Sequence, residues 1–279
     1  MQEFRPSSFK LLPDVVKNIL IICALAFFAD MVFAPRFNFS VNNYFGLHIP
    51  ASPQFHWWQF ITYLFLHGSW THIIFNMLAF WMFGNTLENL WGPKRFLIYF
   101  LVTGIGAGLI QTGITSYSFN KTFEQAQAYL NDPTPDGFSI FVKENSHSDL
   151  WHPEQAEQFN NFKDAYYKEP NNPSLIAETK QWVSETAYDK INSVTVGASG
   201  AVFGILLAFG MLFPNTIIYL YFAIPIKAKY FVILYGLLEI YLGIQNNPAD
   251  NVAHFAHLGG MLFGFILIKI WNKRRNTFY

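Results

Sequence analysis

Of 279 residues, 52% are hydrophobic and only 13% charged, where soluble domains carry about 25% charged residues. Thirty-one Phe, fourteen Tyr and eight Trp stand against eighteen acidic and eighteen basic side chains, too little charge to cover a water-exposed surface, which speaks against a soluble, disordered or nucleic-acid-binding chain. The formal net charge of zero points to no polyanionic partner. One cysteine, Cys23, lies in an apolar run, so no intramolecular disulfide and no thiolate zinc site can form, and it reads as a small core or lipid-facing residue.

A bilayer core of roughly 30 Å takes about 17–25 helical residues, and six windows approach that length. The first runs from Asn18 to Ala34, with Lys17 before it and Asp30 near its end. A signal peptide would begin in the same way, but Pro35-Arg36 follows instead of a small-residue cleavage site, so a retained helix is expected. A semi-polar stretch, 37–70, leads to the second window, Thr71 to Trp91, and then the third, Phe96 to Thr115. The fourth is Val194 to Phe213, the fifth Lys229 to Ile244 and the sixth Val252 to Trp271.

Between the third and fourth windows, Tyr117 to Asn192 differs in kind, holding twelve of the eighteen acids against six lysines. It reads as an insertion outside the membrane. Asn172-Pro173 offers a cap and a first-turn proline, after which Leu175, Thr179, Trp182, Thr186 and Ile191 recur near helical spacing. His152-Pro153 opens a similar run through Ala156, Phe159, Phe162 and Tyr166. Two amphipathic helices forming a small cap are expected, with a plain solvated loop as the alternative.

Lys and Arg are retained on the cytoplasmic side. With the N-terminus inside, Arg5, Lys10, Lys17, Lys94, Arg95, Lys227, Lys229, Lys269, Lys273, Arg274 and Arg275 all fall there, eleven of eighteen. The expected division is a cytoplasmic segment 1–17, helices one to three over 18–116 with an outer loop 37–70, the acidic insertion 117–192, helices four to six over 193–271, and a basic cytoplasmic tail 272–279. Both termini are thus expected in the cytoplasm.

Polar groups at bilayer depth cost several kcal/mol unless partnered and so mark functional positions. The second window holds His72 and Asn76, the fourth holds Ser199 within Gly197-Ala198-Ser199-Gly200, and the sixth holds His254 and His257. At about 1.5 Å per residue, Ser199 and His257 both lie five residues below the outer starts of their windows, level with His72 and Asn76. Gly260 and Gly264 share the His257 side of the sixth window, and Gly200 with Gly204 make a matching stripe in the fourth, so the two helices can approach closely.

A serine needs a base to take its proton, and the oxyanion that follows needs aimed donors. His257 is the expected base; His254, three residues earlier, is its competitor, and the Gly260/Gly264 phase favours His257. The Ser199 main-chain N–H, the His72 imidazole and the Asn76 amide are the expected oxyanion donors. Glu88 and Glu239 read as lying elsewhere and Asp250 at the rim, so a Ser-His dyad is expected in place of a triad. His67 reads as a structural anchor, and His48, His56, His147 and His152 as exposed loop residues. A metal site built from His67, His72, His254 and His257 is the alternative chemistry, though carboxylate and Cys ligands are missing at that depth.

These residues together resemble the rhomboid family of intramembrane serine proteases: Trp58-Gln59, His72-Ile73-Ile74-Phe75-Asn76, Gly197-Ala198-Ser199-Gly200, and Ala256-His257-Leu258-Gly259-Gly260 with Gly264. The resemblance spans about Phe55 to Phe265 without the insertion. It implies an all-α integral membrane fold, a six-helix bundle with a cavity opening outward, that cleaves transmembrane protein substrates near their outer ends without a cofactor. By the same resemblance Ser199 is the nucleophile, His257 the base, His72 and Asn76 oxyanion side chains, and Phe203 the aromatic that supports the imidazole. Residues 37–69 correspond to an outer loop lying partly in the bilayer, and Glu88 with Arg95 to a polar network at the cytoplasmic end. The expected location is a plasma (inner) membrane. Non-catalytic relatives exist that bind membrane helices, but they typically lack Ser or His of the pair. The insertion, of about 76 residues, departs from compact members.

Overall fold

The computed structural model describes residues 10–145, 152–220, 223–245 and 252–275; Arg5, His147 and Asp250 lie outside them. Eleven α-helices form in chain order among the described residues. The first is α1 (Asp14–Phe37). Two short helices, α2 (Val41–Phe45) and α3 (Gln59–Thr62), and a 3-10 turn (Tyr63–Phe65) follow in the loop, and α4 (Trp70–Trp91) and α5 (Pro93–Asn131) come next. Three helices, α6 (Pro135–Asn145), α7 (Pro153–Lys168) and α8 (Pro173–Ile191), make up the rest of the insertion. The chain closes with α9 (Ser199–Leu212), an antiparallel hairpin of β1 (Ile217–Leu220) and β2 (Ile224–Lys227), α10 (Ala228–Gln245) and α11 (His254–Arg275).

Four of these, α1, α5, α10 and α11 (the last over His254–Asn272), are long and apolar enough to cross a membrane. The expected six therefore divides unevenly. At 14 residues, α9 spans about 21 Å, short of a bilayer core. It is apolar on every side and nearly every residue is buried, as befits the central helix of a bundle. Around it stand α4, α5, α10 and α11, and one core joins Phe80, Phe96, Tyr99 and Phe100 to Ala201, Ile205 and Phe209. Cys23 is fully buried in that core.

The outer surface has the opposite character. On α10 only a narrow stripe, Ala228, Val232, Gly236, Glu239 and Gly243, is buried, while Tyr230, Ile233, Leu234, Leu237, Leu238 and Tyr241 are exposed. Such a continuous apolar face suits lipid and not water.

Buried polar contacts pin the ends. The Glu88 carboxylate accepts from the main-chain N–H groups of Val15 and Val16 at 2.9 and 2.8 Å, satisfying the first turn of α1. The Arg95 guanidinium stacks over Trp271, 4.1 Å from its ring centroid. In the loop, Gln59 is fully buried: its Oε1 accepts from His48 and His56 main-chain N–H, and its Nε2 donates to the carbonyls of Tyr44 and Gln54. His48, expected in an exposed loop, is instead 1% exposed with Nε2 2.8 Å from the Asn43 carbonyl, because this Gln59 knot folds the loop over it. His56 stacks on Trp58 at 4.1 Å, and Trp57 is 72% exposed.

The insertion is helical and has its own core. Helix α5 does not stop at Thr115 but runs on for 39 residues in all, about 58 Å, so its upper half is the first wall of the cap. Tyr129, Phe138, Phe141, Tyr166 and Val183 are buried together there, with Phe159, Phe162 and Trp182 packed against them. Asn172 caps α8 by accepting from Ser174 N–H at 3.0 Å, with Pro173 in the first turn. The Tyr129 hydroxyl donates to Thr179 at 2.6 Å, and the Lys190 ammonium donates to Thr122 at 2.6 Å, tying α8 back to α5.

Candidate active site

Helix α9 begins at Ser199 itself and not at Val194. The five residues before it are apolar enough to read as helix but run as an edge: Leu47 and Thr195 exchange two main-chain hydrogen bonds of 2.9 Å. Gly197 then takes φ +128°, a conformation that only glycine adopts without strain. The expected position of Ser199, five residues down a helix, is thus corrected to its first turn. The change matters chemically. The main-chain N–H groups of a first turn have no partner within their helix, no side chain caps α9, and the helix dipole places positive potential there.

A point beside Gly197, where a Cβ would stand, lies 2.7 Å from His72 Nε2 and 3.7 Å from Ser199 Oγ. His72 and Asn76 are one turn apart on α4 and share a face. Asn76 is 8% exposed, and its Nδ2 is buried with no hydrogen-bond acceptor, an uncommon state for an amide donor. The ring of His67 meets that of His72 edge-on at 5.0 Å.

Helices α9 and α11 touch through backbone. A methyl on Gly260 would overlap the Gly200 carbonyl, and one on Gly200 would meet Ala107 Cβ and come within 3.2 Å of the Ala256 carbonyl. Gly204 faces Thr103 and the Gly260 carbonyl, and Gly264 faces the Tyr99 hydroxyl. This approach brings His257, in the first turn of α11, beside α9. Its ring lies flat on Phe203, centroids 4.1 Å apart and planes 8° from parallel. Tyr235 of α10 packs behind Phe203 at 4.8 Å.

Glu239 is where the structure departs furthest from expectation. It does not lie elsewhere: its Oε2 accepts from His257 Nδ1 at 2.8 Å and from His254 Nδ1 at 2.7 Å, and all three residues are at least 93% buried. The expectation that no carboxylate reaches the histidines is overturned, because α10 lays its one buried stripe, Glu239 included, against α11. The same three ligand atoms lie within 4.8 Å of one another, a spacing a cation can use; as described, they are engaged with one another. His67 and His72 are not part of that group.

With Nδ1–H given to Glu239, His257 carries its acceptor lone pair on Nε2. Among the described residues no hydrogen bond joins Ser199 to His257; such contacts commonly tighten only around bound substrate. Ser199 is partly exposed between buried Ala198 and Gly200. Ser199 at the start of α9, His72 beside Gly197 and His257 on Phe203 thus stand at one end of a bundle of apolar helices.

Comparison with known proteins shows the family. The Rhomboid domain pattern matches residues 54–123 and 175–274, leaving out much of the cap, and the chain belongs to the rhomboid family, as a multi-pass membrane protein. It is 26% identical over 226 residues to an uncharacterized mitochondrial rhomboid protein of Schizosaccharomyces pombe, covering 78% of this chain and 52% of the relative. Against the rhomboid protease AarA of Providencia stuartii it is 25% identical over 257 residues, 90% of this chain and 69% of the relative. The rhomboid protease GluP of Bacillus subtilis matches at 34% over 64 residues, 23% of this chain and 13% of that one. The chain thus spans about half the length of the yeast relative.

Proposed function

We propose that the protein is an intramembrane serine endopeptidase. Ser199 Oγ attacks the scissile carbonyl as His257 Nε2 takes its proton; the oxyanion is met by the Ser199 N–H, His72 and Asn76; and His257 returns the proton to the leaving amine. The observation that carries this reading is the partly exposed Ser199 at a free helix N-terminus beside a His257 clamped by Phe203.

The substrates are transmembrane proteins cut near the outer face, where His72, Ser199 and His257 all stand in the first turns of their helices. Six segments span the membrane, with α4 and the short α9 crossing among the longer helices, both termini cytoplasmic and 117–192 outside as a cap that limits or guides access. The membrane is a plasma (inner) membrane.

The test is cleavage of a model transmembrane substrate in liposomes by wild type, Ser199→Ala, His257→Ala and His254→Ala, with fluorophosphonate labelling of Ser199 as a second readout. Ser199→Ala and His257→Ala should be inactive. Full activity in Ser199→Ala would reject the reading, and loss in His254→Ala alone would move the base to His254.

A further inference from the structure

We propose that Glu239 is a positioning residue for His257, converting the Ser-His pair into a Ser199–His257–Glu239 relay in which His254 holds the carboxylate from its other side. The proposal rests on the reading of Ser199 and His257 given above.

A carboxylate 3% exposed among apolar helices is expensive to bury unless its oxygen lone pairs are used. Here a single oxygen, Oε2, takes two imidazole N–H groups at 2.7 and 2.8 Å. Glycine would fill the buried stripe of α10 as Gly236 and Gly243 do; an acid there has to be accounted for by what it touches. What it touches is the nitrogen of His257 that must carry a proton for Nε2 to be basic.

The ring of His257 has three restraints: Phe203 stacked on one face, Glu239 at Nδ1, and its own helix. Together they leave Nε2 as the one open nitrogen. His254 makes the same Nδ1 contact, but the ring stacked on Phe203 of α9 is that of His257; the His254 ring stands edge-on to it, 6.3 Å away and 87° from parallel. It serves as the second clamp, preventing the carboxylate from rotating away.

The balance of the step follows. As the Ser199 oxygen bonds to the carbonyl carbon, its proton passes to His257 Nε2 and the carbonyl electron pair moves to oxygen. His257 becomes an imidazolium facing a carboxylate 2.8 Å away, so a charge created in an apolar bundle arises next to its counter-charge. Glu239 remains ionised throughout. When the intermediate collapses, the carbon–nitrogen bond breaks and the amine takes the proton from Nε2.

The experiment measures kcat and KM separately for full-length wild type, Glu239→Gln, Glu239→Asp, His254→Ala and Ser199→Ala on one model substrate in liposomes, with thermal unfolding of each. Glu239→Gln leaves an amide oxygen for the two N–H groups but removes the negative charge that meets the imidazolium. Its kcat should fall about 10²–10⁴-fold with KM nearly unchanged. Glu239→Asp should recover part of kcat, and His254→Ala should lose about tenfold, since one clamp remains. A Glu239→Gln enzyme within about threefold of wild type, beside an inactive Ser199→Ala, would overturn the relay and leave the serine reading intact. Equal loss in Glu239→Gln and Glu239→Asp, matched by a lowered unfolding temperature in both, would also overturn it, making Glu239 purely structural. An active Ser199→Ala would remove the serine reading itself.

Discussion

The carbonyl oxygen of Gly200 occupies the place that a side chain on Gly260 would need. Two membrane helices meet there main chain to main chain, and neither can retreat without carrying its catalytic candidate, Ser199 or His257, out of register. Gly260→Ala should therefore unfold the bundle or destabilise it by about 3 kcal/mol or more, beyond ordinary overpacking because the obstacle is backbone. Gly113→Ala on α5, where no atom lies within 4 Å of the new methyl, should be neutral or stabilising by up to about 1 kcal/mol. Thermal unfolding in one detergent compares the two, and equal unfolding temperatures would show that the crossing is looser than described.

Asn76 makes an unusual prediction in two directions. Its buried Nδ2 has no acceptor, so Asn76→Ala should not lower stability, and removal of an unpaired polar group could raise it. Activity should nonetheless fall about 10²–10³-fold in kcat, the usual cost of losing one oxyanion donor. A stability loss with unchanged kcat would assign Asn76 to packing instead.

Phe203 carries His257 on one face, and Tyr235 packs against Phe203 at a tilt of 56°. Phe203→Leu keeps most of the volume, so stability should change by less than about 1.5 kcal/mol. With no flat ring under the imidazole, kcat should drop about tenfold, whereas Phe203→Tyr should keep most activity. If leucine serves as well as tyrosine, the stack plays no part in orienting the base.

In the cap, burial first and neighbouring Lys121 second hold the Lys190 ammonium below the ordinary lysine range. An unfolded lysine titrates near 10.4. Between the folded value and that one the unfolded chain binds more protons, so this group makes stability rise with pH. Lys190→Met lacks that slope. From about pH 8 to about pH 10, the unfolding temperature of wild type should therefore gain on that of the variant, and a wild type that loses ground would reverse the sign.

The cap core and the bundle core share no buried residue, so the cap should be removable. Thr122 and Lys190 are hydrogen-bonded at the junction, which lets a short Gly/Ser linker replace 124–187. The shortened protein should fold and label with fluorophosphonate, while its rate or cleavage-site choice on a transmembrane substrate changes. Identical cleavage would leave the cap without a role in access.

Much of this arrangement is legible in the sequence where a single helix carries the information. Ser199 to Phe203 and His257 to Gly260 are each one turn, so their shared faces follow from spacing alone. Glu239 is not legible, because its meaning depends on how α10 rotates against α11, and an acid in a short apolar window reads as a boundary error. The start of α9 is hidden by Val194 and Val196, which prolong the apolar run past the point where Gly197 breaks the helix. The β1–β2 hairpin is hidden similarly, since Ile217–Leu220 is apolar throughout instead of alternating. The continuation of α5 is lost for the opposite reason: hydropathy stops near Thr115, but helical geometry does not.

That continuous α5 is a stiff strut sunk into the bundle. Its upper half is held by Thr122, Ala126 and Tyr129 in the cap. Its lower half holds the Tyr63 hydroxyl through the Gly104 carbonyl at 2.6 Å and sets Ala107 against Gly200. No proline follows Pro93 to break it. The helix against which the turn after Ser199 rests is therefore the helix on which the cap is built, and one continuous backbone supports both.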